Sequence, residues 1–510
     1  MKRTGLSILL FCCTFAVSAH SYQIKQVKYE LGSTQETALS HKIPVDTERI
    51  FNSRDELEAY KSSLLQQYAN TRVFESVEIE FKETSSEKEP VQLSCSIKTT
   101  DSKTLLVVPY PKYDSNSGIT VKLKAKNSSI LGSLEELNFE LSGGNKLSDL
   151  TEENGFFIGG ELNFTYPFYK DPFAVFWNND FKFEYNFQDS LPQFTTQTGL
   201  SIQLPLKKVT FILDAYEGAY RDFEYTEFDD ELYYKTYTKF SAPIELLKTE
   251  KSGNLTWSPF VDFEFNYEKN EINKLNDDLS SPVFASGNEI FIKNVNWIGN
   301  FRSGHGIRIG QKLGYNTQNQ RWQPKIYGTA EAYAAFKYNG IAAKLNFFHS
   351  EYNREKIGEY VRGIVDKQRY ANYHSRALKT PSAIVLNLDF PVHIITTDWI
   401  GWGTSLFGEE SWFTKGFSWM KTFNFEFQIS PFVDAALTKN EATGRLFSYK
   451  DGWYGSGVEF LVYPEKWKSI VVRGSVGFDI GRKLLKEHLD YSWRKDEKSH
   501  EIYVGIGLLY

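Results

Sequence analysis

The chain has 510 residues, a formal net charge of −6, and 41% hydrophobic and 24% charged residues. It is too acidic for a nucleic-acid footprint and too polar for a bundle of membrane helices. A mean hydropathy of −0.42 beside 16% aromatics, with 40 Phe and 30 Tyr, is also unlike an ordinary soluble domain. Strands that alternate between lipid and a polar lumen, girdled by aromatic rings, give this mixture.

In chain order, the first element is "MKRTGLSILLFCCTFAVSAHS". Lys2 and Arg3 precede an apolar core, Leu6 to Val17, and a small-residue site at Val17-Ser18-Ala19. This pattern predicts a secretory signal peptide over residues 1–19, too short to span a bilayer. Its removal would take Cys12 and Cys13, leave Cys95 without an intrachain partner, and move the formal charge to −8.

Residues 20–104 read as a small α+β domain. "YQIKQVKYEL" alternates as a strand, and "SRDELEAYKSSLLQQY" (53–68) places Leu57, Tyr60, Leu64, Leu65 and Tyr68 at helical spacing. Ser53 and Glu56 form an S-x-x-E capping box. "RVFESVEIEF" (72–81) and "VQLSCSIK" (91–98) form a hairpin, so the expected sheet has three strands. No first helix is evident in "TQETALSHKIPVDTER".

From about residue 105 the helical signal vanishes, and alternating segments recur to the end. They lie near 119–127, 134–144, 156–168, 179–188, 195–206, 208–221, 236–248, 255–268, 286–299, 304–317, 324–338 and 340–352, then 382–394, 423–437, 452–463, 469–481 and 501–510. An eighteenth is available at 103–112. Residues 105–510 are therefore expected to form a transmembrane antiparallel β-barrel of about 16 strands, an even number being usual. The faces separate cleanly. In 382–394, Ile384, Leu386, Leu388, Phe390, Val392 and Ile394 oppose Asn387, Asp389 and His393. In 423–437, Phe423, Phe425, Phe427 and Ile429 oppose Asn424, Glu426, Gln428 and Ser430, with Pro431 a candidate bulge that would shift the phase beyond it. In 469–481, Ile470, Val472, Val476, Phe478 and Ile480 oppose Arg473, Ser475, Gly477 and Asp479. Aliphatics on one face and charges on the other describe lipid outside and a wet lumen inside.

The last stretch, "EIYVGIGLLY", sets Ile502, Val504, Ile506, Leu508 and Tyr510 against Glu501, Tyr503, Gly505, Gly507 and Leu509. A free apolar edge would invite aggregation, so this strand is expected to close the barrel on the first, with Tyr510 at an aromatic belt. Gly505 and Gly507 offer little packing, leaving either a weak seam or room in the lumen.

Between 352 and 382 the alternation fails in a basic stretch too long for a hairpin link, within which lies "VRGI", Val361-Arg362-Gly363-Ile364. A second V-R-G at 472–474 falls in a regular strand, so Arg473 reads as an ordinary lumen residue. An arginine tucked into a barrel needs an anionic partner, because an unpaired buried charge is costly. Asp434 is one acidic candidate on the lumen face. Asp389, Glu426 and Glu459 are the other acidic candidates on the lumen face. The competing reading is a solvated arginine on a surface loop.

These residues resemble the BamA/TamA superfamily of outer-membrane β-barrels with periplasmic POTRA domains. In that family a V-R-G loop folds into the lumen and meets an acidic residue of an F-x-D-x-G strand, and five strands follow the loop, as counted here; the resemblance thus picks Asp434, two residues after Phe432 in "PFVDAA", as the partner of Arg362. "LNLDFPV" (386–392), "KNSSILGSLEEL" (126–137) and "NTRVFESVEIEF" (70–81) resemble further pieces. Ile364 stands where the family has an aromatic and Ala436 where it has glycine, and only one POTRA domain fits. The resemblance implies an assembly, insertion or translocation factor in the bacterial outer membrane, with its POTRA domain in the periplasm. Its partners would be the lipid bilayer, unfolded outer-membrane protein clients and accessory lipoproteins. It implies no cofactor and no nucleic acid. The alternative is a porin or surface adhesin that keeps the architecture, with the acidic, Tyr-rich 222–235 as a binding loop. No catalytic motif or metal-ligand spacing is read among the eight His residues, and no enzyme is expected.

Overall fold

The computed structural model describes residues 20–85, 90–114, 118–147, 154–188, 192–221, 232–249, 253–267, 281–351, 355–356, 361–364, 379–416, 418–440, 443–492 and 500–506. The predicted leader, Gly507, Tyr510 and the loop core at 222–231 lie outside them.

The N-terminal part comprises β1 (Tyr22–Glu30), α1 (Glu36–Lys42), β2 (Ile50–Phe51), α2 (Arg54–Thr71), β3 (Phe74–Ser85) and β4 (Val91–Asp101). Its sheet runs β2-β1-β4-β3, with β1 parallel to β4. The two-residue β2 makes four strands where three were expected. The first helix, α1, is present. Only Ala38 and Leu39 of its seven residues are buried, too short a stripe to show as periodicity. The Ser53 hydroxyl accepts from the Glu56 N–H at 3.2 Å, while the Glu56 carboxylate takes Asn52 N–H at 2.8 Å and Arg49. Leu57, Leu64 and Tyr68 of α2 are buried with Ile24, Leu93, Cys95 and Ile97 of the sheet.

The barrel strands are β5 (Leu105–Asp114), β6 (Gly118–Asn127), β7 (Leu137–Leu147), β8 (Asn154–Lys170), β9 (Phe173–Asn186), β10 (Pro192–Leu206) and β11 (Val209–Arg221). Next come β12 (Tyr233–Ser241) with β13 (Ile244–Thr249), β14 (Gly253–Tyr267), β15 (Val283–Ile298), β16 (Phe301–Asn316), β17 (Arg321–Ala335) and β18 (Gly340–Ser350). A two-strand ribbon, β19 (Glu355–Lys356) and β20 (Lys379–Thr380), leads into and out of the long loop. The remainder are β21 (Ser382–Asp389) with β22 (Val392–Thr396), β23 (Phe425–Thr438), β24 (Trp453–Pro464), β25 (Val472–Asp479) and β26 (His500–Ile506).

These strands close into one antiparallel barrel. β12 and β13 share the place between β11 and β14, and β21 and β22 share the place beside β23. Each break falls at a proline, Pro243 or Pro391, which has no N–H to give the ladder. Counting each broken pair once, the described residues form eighteen staves, so the expected sixteen is corrected. The stretch at 103–112 is β5, a full member that two prolines made hard to read as a strand.

Side-chain parity holds along β21 and β23, but a bulge between His393 and Ile395 breaks it in β22, and Ile470, expected on the outer face, is buried and precedes β25. Leu386, Phe390, Val392 and Ile394 are exposed on the outer face while Val385, Asn387 and Asp389 are buried within. Pro431 causes no phase shift: Ser430, Pro431 and Phe432 oppose Glu459, Val458 and Gly457 in unbroken register. Its missing N–H falls where the neighbouring stave is interrupted, and its carbonyl accepts the Phe390 N–H at 3.0 Å.

The expected absence of helix after residue 105 is also corrected. The link between β22 and β23 carries α3 (Trp399–Phe407), α4 (Trp412–Gly416) and a 3-10 turn at Ser418–Phe423.

Candidate functional site

The site is built on the lumen wall of β21, β23, β24, β25 and β26. Residues two apart on a strand share a face, so Asn387 and Asp389, then Phe432, Asp434 and Ala436, line up inward beside Glu459 and Arg473. Residues 361–364 sit against this wall. Val361, Arg362 and Ile364 are buried, and Asp434 is 0% exposed.

Arg362 is held on every side. Its backbone N–H and Nε–H donate to Asp434 Oδ2 at 2.9 and 2.8 Å, and Nη2 donates to Asp434 Oδ1 at 2.7 Å. Nη1 donates to Asp389 Oδ1 at 2.7 Å and pairs with Glu459 Oε1 at 3.0 Å. The guanidinium carbon lies 3.8 Å from the Phe432 ring centroid. A planar fork with five N–H donors suits this bidentate arrangement, which an ammonium group cannot reproduce. Desolvating such charges is tolerable only because each finds a partner.

Glycine makes the approach possible. Gly363 has φ +84°, and a Cβ there would lie 2.6 Å from Phe478 N. On the wall, a Cβ on Gly455 would lie 1.8 Å from the Arg362 carbonyl oxygen, and one on Gly477 2.7 Å from Gly363 N. Val361 and Ile364 pack with Phe348, Ala383, Val385, Ala436 and Trp453. Ile364 and Ala436, the two departures from the family pattern, thus meet in one apolar cluster.

Of the acidic candidates, Asp434, Asp389 and Glu459 meet at Arg362. Glu426 does not, which corrects its place among the candidates. It accepts from Asn300 Nδ2 at 2.7 Å and Gln428 Nε2 at 2.6 Å. Parity fixes a face but not a height, and eight residues of strand separate positions 426 and 434 by roughly 26 Å.

Three contributors were given no role from sequence. Arg473 is a second buried arginine, its Nη1 3.4 Å from Glu459 Oε1 and its guanidinium 4.5 Å from the Tyr503 ring centroid. Asn387 Nδ2 donates to Asp434 Oδ1 at 2.9 Å. Glu501 accepts the Gly363 N–H at 2.8 Å, tying the loop to β26. Their shared lumen parity was the available signal.

Among the described residues the join between β26 and β5 is thin. Tyr503 opposite Asp114 is its one register pair among the described residues, against seven for β25–β26 and ten for β5–β6. Ile502 and Val504 face outward, while Gly505 is buried with Tyr503 Oη 2.2 Å from where its Cβ would stand.

The class defined by these features is a closed antiparallel barrel with one N-terminal α+β domain and an arginine loop folded onto its lumen wall. No family model matches the chain. No curated protein matches it. Among solved structures it is similar to CdiB from Acinetobacter baumannii, at 10% identity and a TM-score of 0.48, covering 94% of this chain and 73% of that one. It is likewise similar to CdiB from Escherichia coli, at 7% identity and 0.48, covering 95% and 76%. A structure of BamA from Haemophilus ducreyi lacking POTRA domains 1–3 is similar at 13% identity and 0.39, covering 95% and 85%.

Proposed function

We propose that this chain is an outer-membrane assembly, insertion or translocation factor of BamA/TamA type, acting on unfolded outer-membrane protein clients. Residues 20–104 would be its one POTRA domain, residues 105–510 its barrel, and the rim that carries the N-terminal domain its periplasmic rim. Residues 361–364 with Asp434 and Phe432 would be its lumen lock.

The observation that carries the reading is the bond from Gly363 to Glu501. Residues 361–364, seated on the lumen wall, are tied to β26, whose join to β5 has the fewest register pairs among the described residues. Seating the loop therefore bears on β26, and releasing it removes one of that strand's supports. An opened join would offer free N–H and C=O groups to an incoming strand. In the N-terminal sheet, β3 is an edge of twelve residues, paired only with β4 among the described elements. It suits capture of an extended client by β-augmentation. No nucleotide or cofactor is required.

The test is depletion of the protein in its host, with folded, heat-modifiable barrels quantified against a control membrane protein. Many unrelated barrels should fall together, and Arg362→Ala should reproduce the loss. Level barrels with altered solute uptake, or with one secreted protein lost, would overturn a general assembly role and favour a porin or a dedicated translocator.

A further inference from the structure

The connection between β22 and β23 stands apart from the other turns on its rim. Those between β10 and β11 or between β15 and β16 are tight, whereas this one runs from Thr397 to Asn424. Its helices are built the reverse of soluble ones. Gly403 is the buried residue of α3, while Trp402, Leu406 and Phe407 face out, Leu406 at 74% exposure. Trp412 is 76% exposed, and Trp419 and Phe423 are more than half exposed.

This outward face is held in place. Asp398 caps α3 by accepting the Gly401 N–H at 3.0 Å, and Trp399 Nε1 donates to the Phe423 carbonyl at 3.2 Å. Trp399 packs edge-on to Trp402 at 5.3 Å, and Phe423 meets Trp467 of the next turn on this rim at 6.4 Å. The exposed rings continue the outer apolar face of β22, where Val392, Ile394 and Ile395 are exposed. No described helix is long and apolar enough to cross a membrane.

We propose that residues 397–424 form an interfacial platform that lies in the bilayer leaflet at the rim carrying the N-terminal domain. Tryptophan favours the headgroup level, and a short helix with one apolar face lies in that plane. At 1.5 Å per residue, α3 covers about 13 Å along the surface. The segment carries Asp398, Glu409, Glu410, Lys415 and Lys421, no basic excess, so the lipid surface recognised is a zwitterionic one entered by apolar insertion. Continuity with the lipid-facing wall selects lipid over a protein partner.

The inference rests on the barrel spanning a membrane, and the test separates the two. Leu406→Cys, Trp412→Cys and, as control on the outer wall, Ile326→Cys are made in a chain with Cys12, Cys13 and Cys95 changed to alanine. Each is labelled with an environment-sensitive nitrobenzoxadiazole, shown to be a heat-modifiable barrel, and reconstituted into phosphatidylcholine vesicles. At 406 and 412 the emission should shift to the blue and fall at least twofold with nitroxide near the headgroup, insensitive to salt. The 326 label should respond more to deep nitroxide. If 326 responds but 406 and 412 stay water-like and open to aqueous iodide, the platform is overturned. Blue emission there without nitroxide quenching also overturns it, in favour of a protein or second-copy contact. If 326 fails as well, the membrane-spanning reading itself falls.

Discussion

Arg362 answers to three carboxylates and one ring, and its neighbours tolerate no substitute shape. Removing one partner from a buried ion cluster commonly costs about 3–5 kcal/mol, because the remaining charges stay desolvated. Arg362→Ala should therefore release residues 361–364 from the wall and raise single-channel conductance in planar bilayers. Arg362→Lys should raise it less, since one ammonium cannot serve Asp434 as a fork and also reach Asp389. Gly455→Ala is the sharper probe. It alters no charge, yet its methyl would collide with the Arg362 carbonyl. It should match Arg362→Ala in conductance, and unchanged conductance would mean that the loop does not obstruct the pore.

At the scale of single elements, the N-terminal domain buries Cys95 of β4 in its core, and burial pushes its thiol up to about 11 from an ordinary 9.0. With the folded pKa raised, the neutral thiol favours the folded domain. That contribution is complete below pH 9 and is lost as pH rises through 11. Alkylation of Cys95 in the full chain by iodoacetamide should be slower than that of free cysteine by roughly a hundredfold or more at pH 8. It should accelerate across the 9–11 window and approach the free rate when urea opens the domain. Elements also differ in how well the chain announces them. Every segment read as alternating after residue 105 corresponds to a stave, because a wall with an apolar outer face and a polar inner one imposes parity on each residue. A buried cation demands an anion on that face, which left four carboxylates, and the family resemblance picked Asp434 among them. Glu426 was misplaced because height along a strand leaves no mark in parity. The platform at 397–424 escaped because "WIGWGTSLF" is apolar on nearly every side, with neither period. Its only signals were the Asp398 cap and the long gap between alternating segments.

For the whole molecule, the join between β26 and β5 is the place to intervene. Tyr503 and Asp114 face each other across it, so Tyr503→Cys with Asp114→Cys places two thiols at a spacing a disulfide can bridge. Under the proposed function, oxidation should abolish client insertion and reduction should restore it. Full activity of the oxidised form would show that the join need not part.

The N-terminal domain grips several turns of one rim. Gln35 N–H donates to the Gly132 carbonyl beyond β6, Gln66 Nε2 donates to the Trp297 carbonyl near the β15–β16 turn, and Lys466 Nζ, beyond β24, lies 2.6 Å from Glu75 Oε1. The first and last of these grips stand on opposite sides of the β26–β5 join. The chain entering β5 adds a closer stitch: Lys103 N–H reaches the Lys466 carbonyl, and Trp467 Nε1 reaches the Leu105 carbonyl. The join is thus splinted at this rim and held near its opposite end by the pair of Tyr503 with Asp114. If the barrel parts there, the two walls would swing like scissor blades on a pivot at the splinted rim. The gap would be widest at the far mouth, and a client strand would be gripped most firmly where it enters.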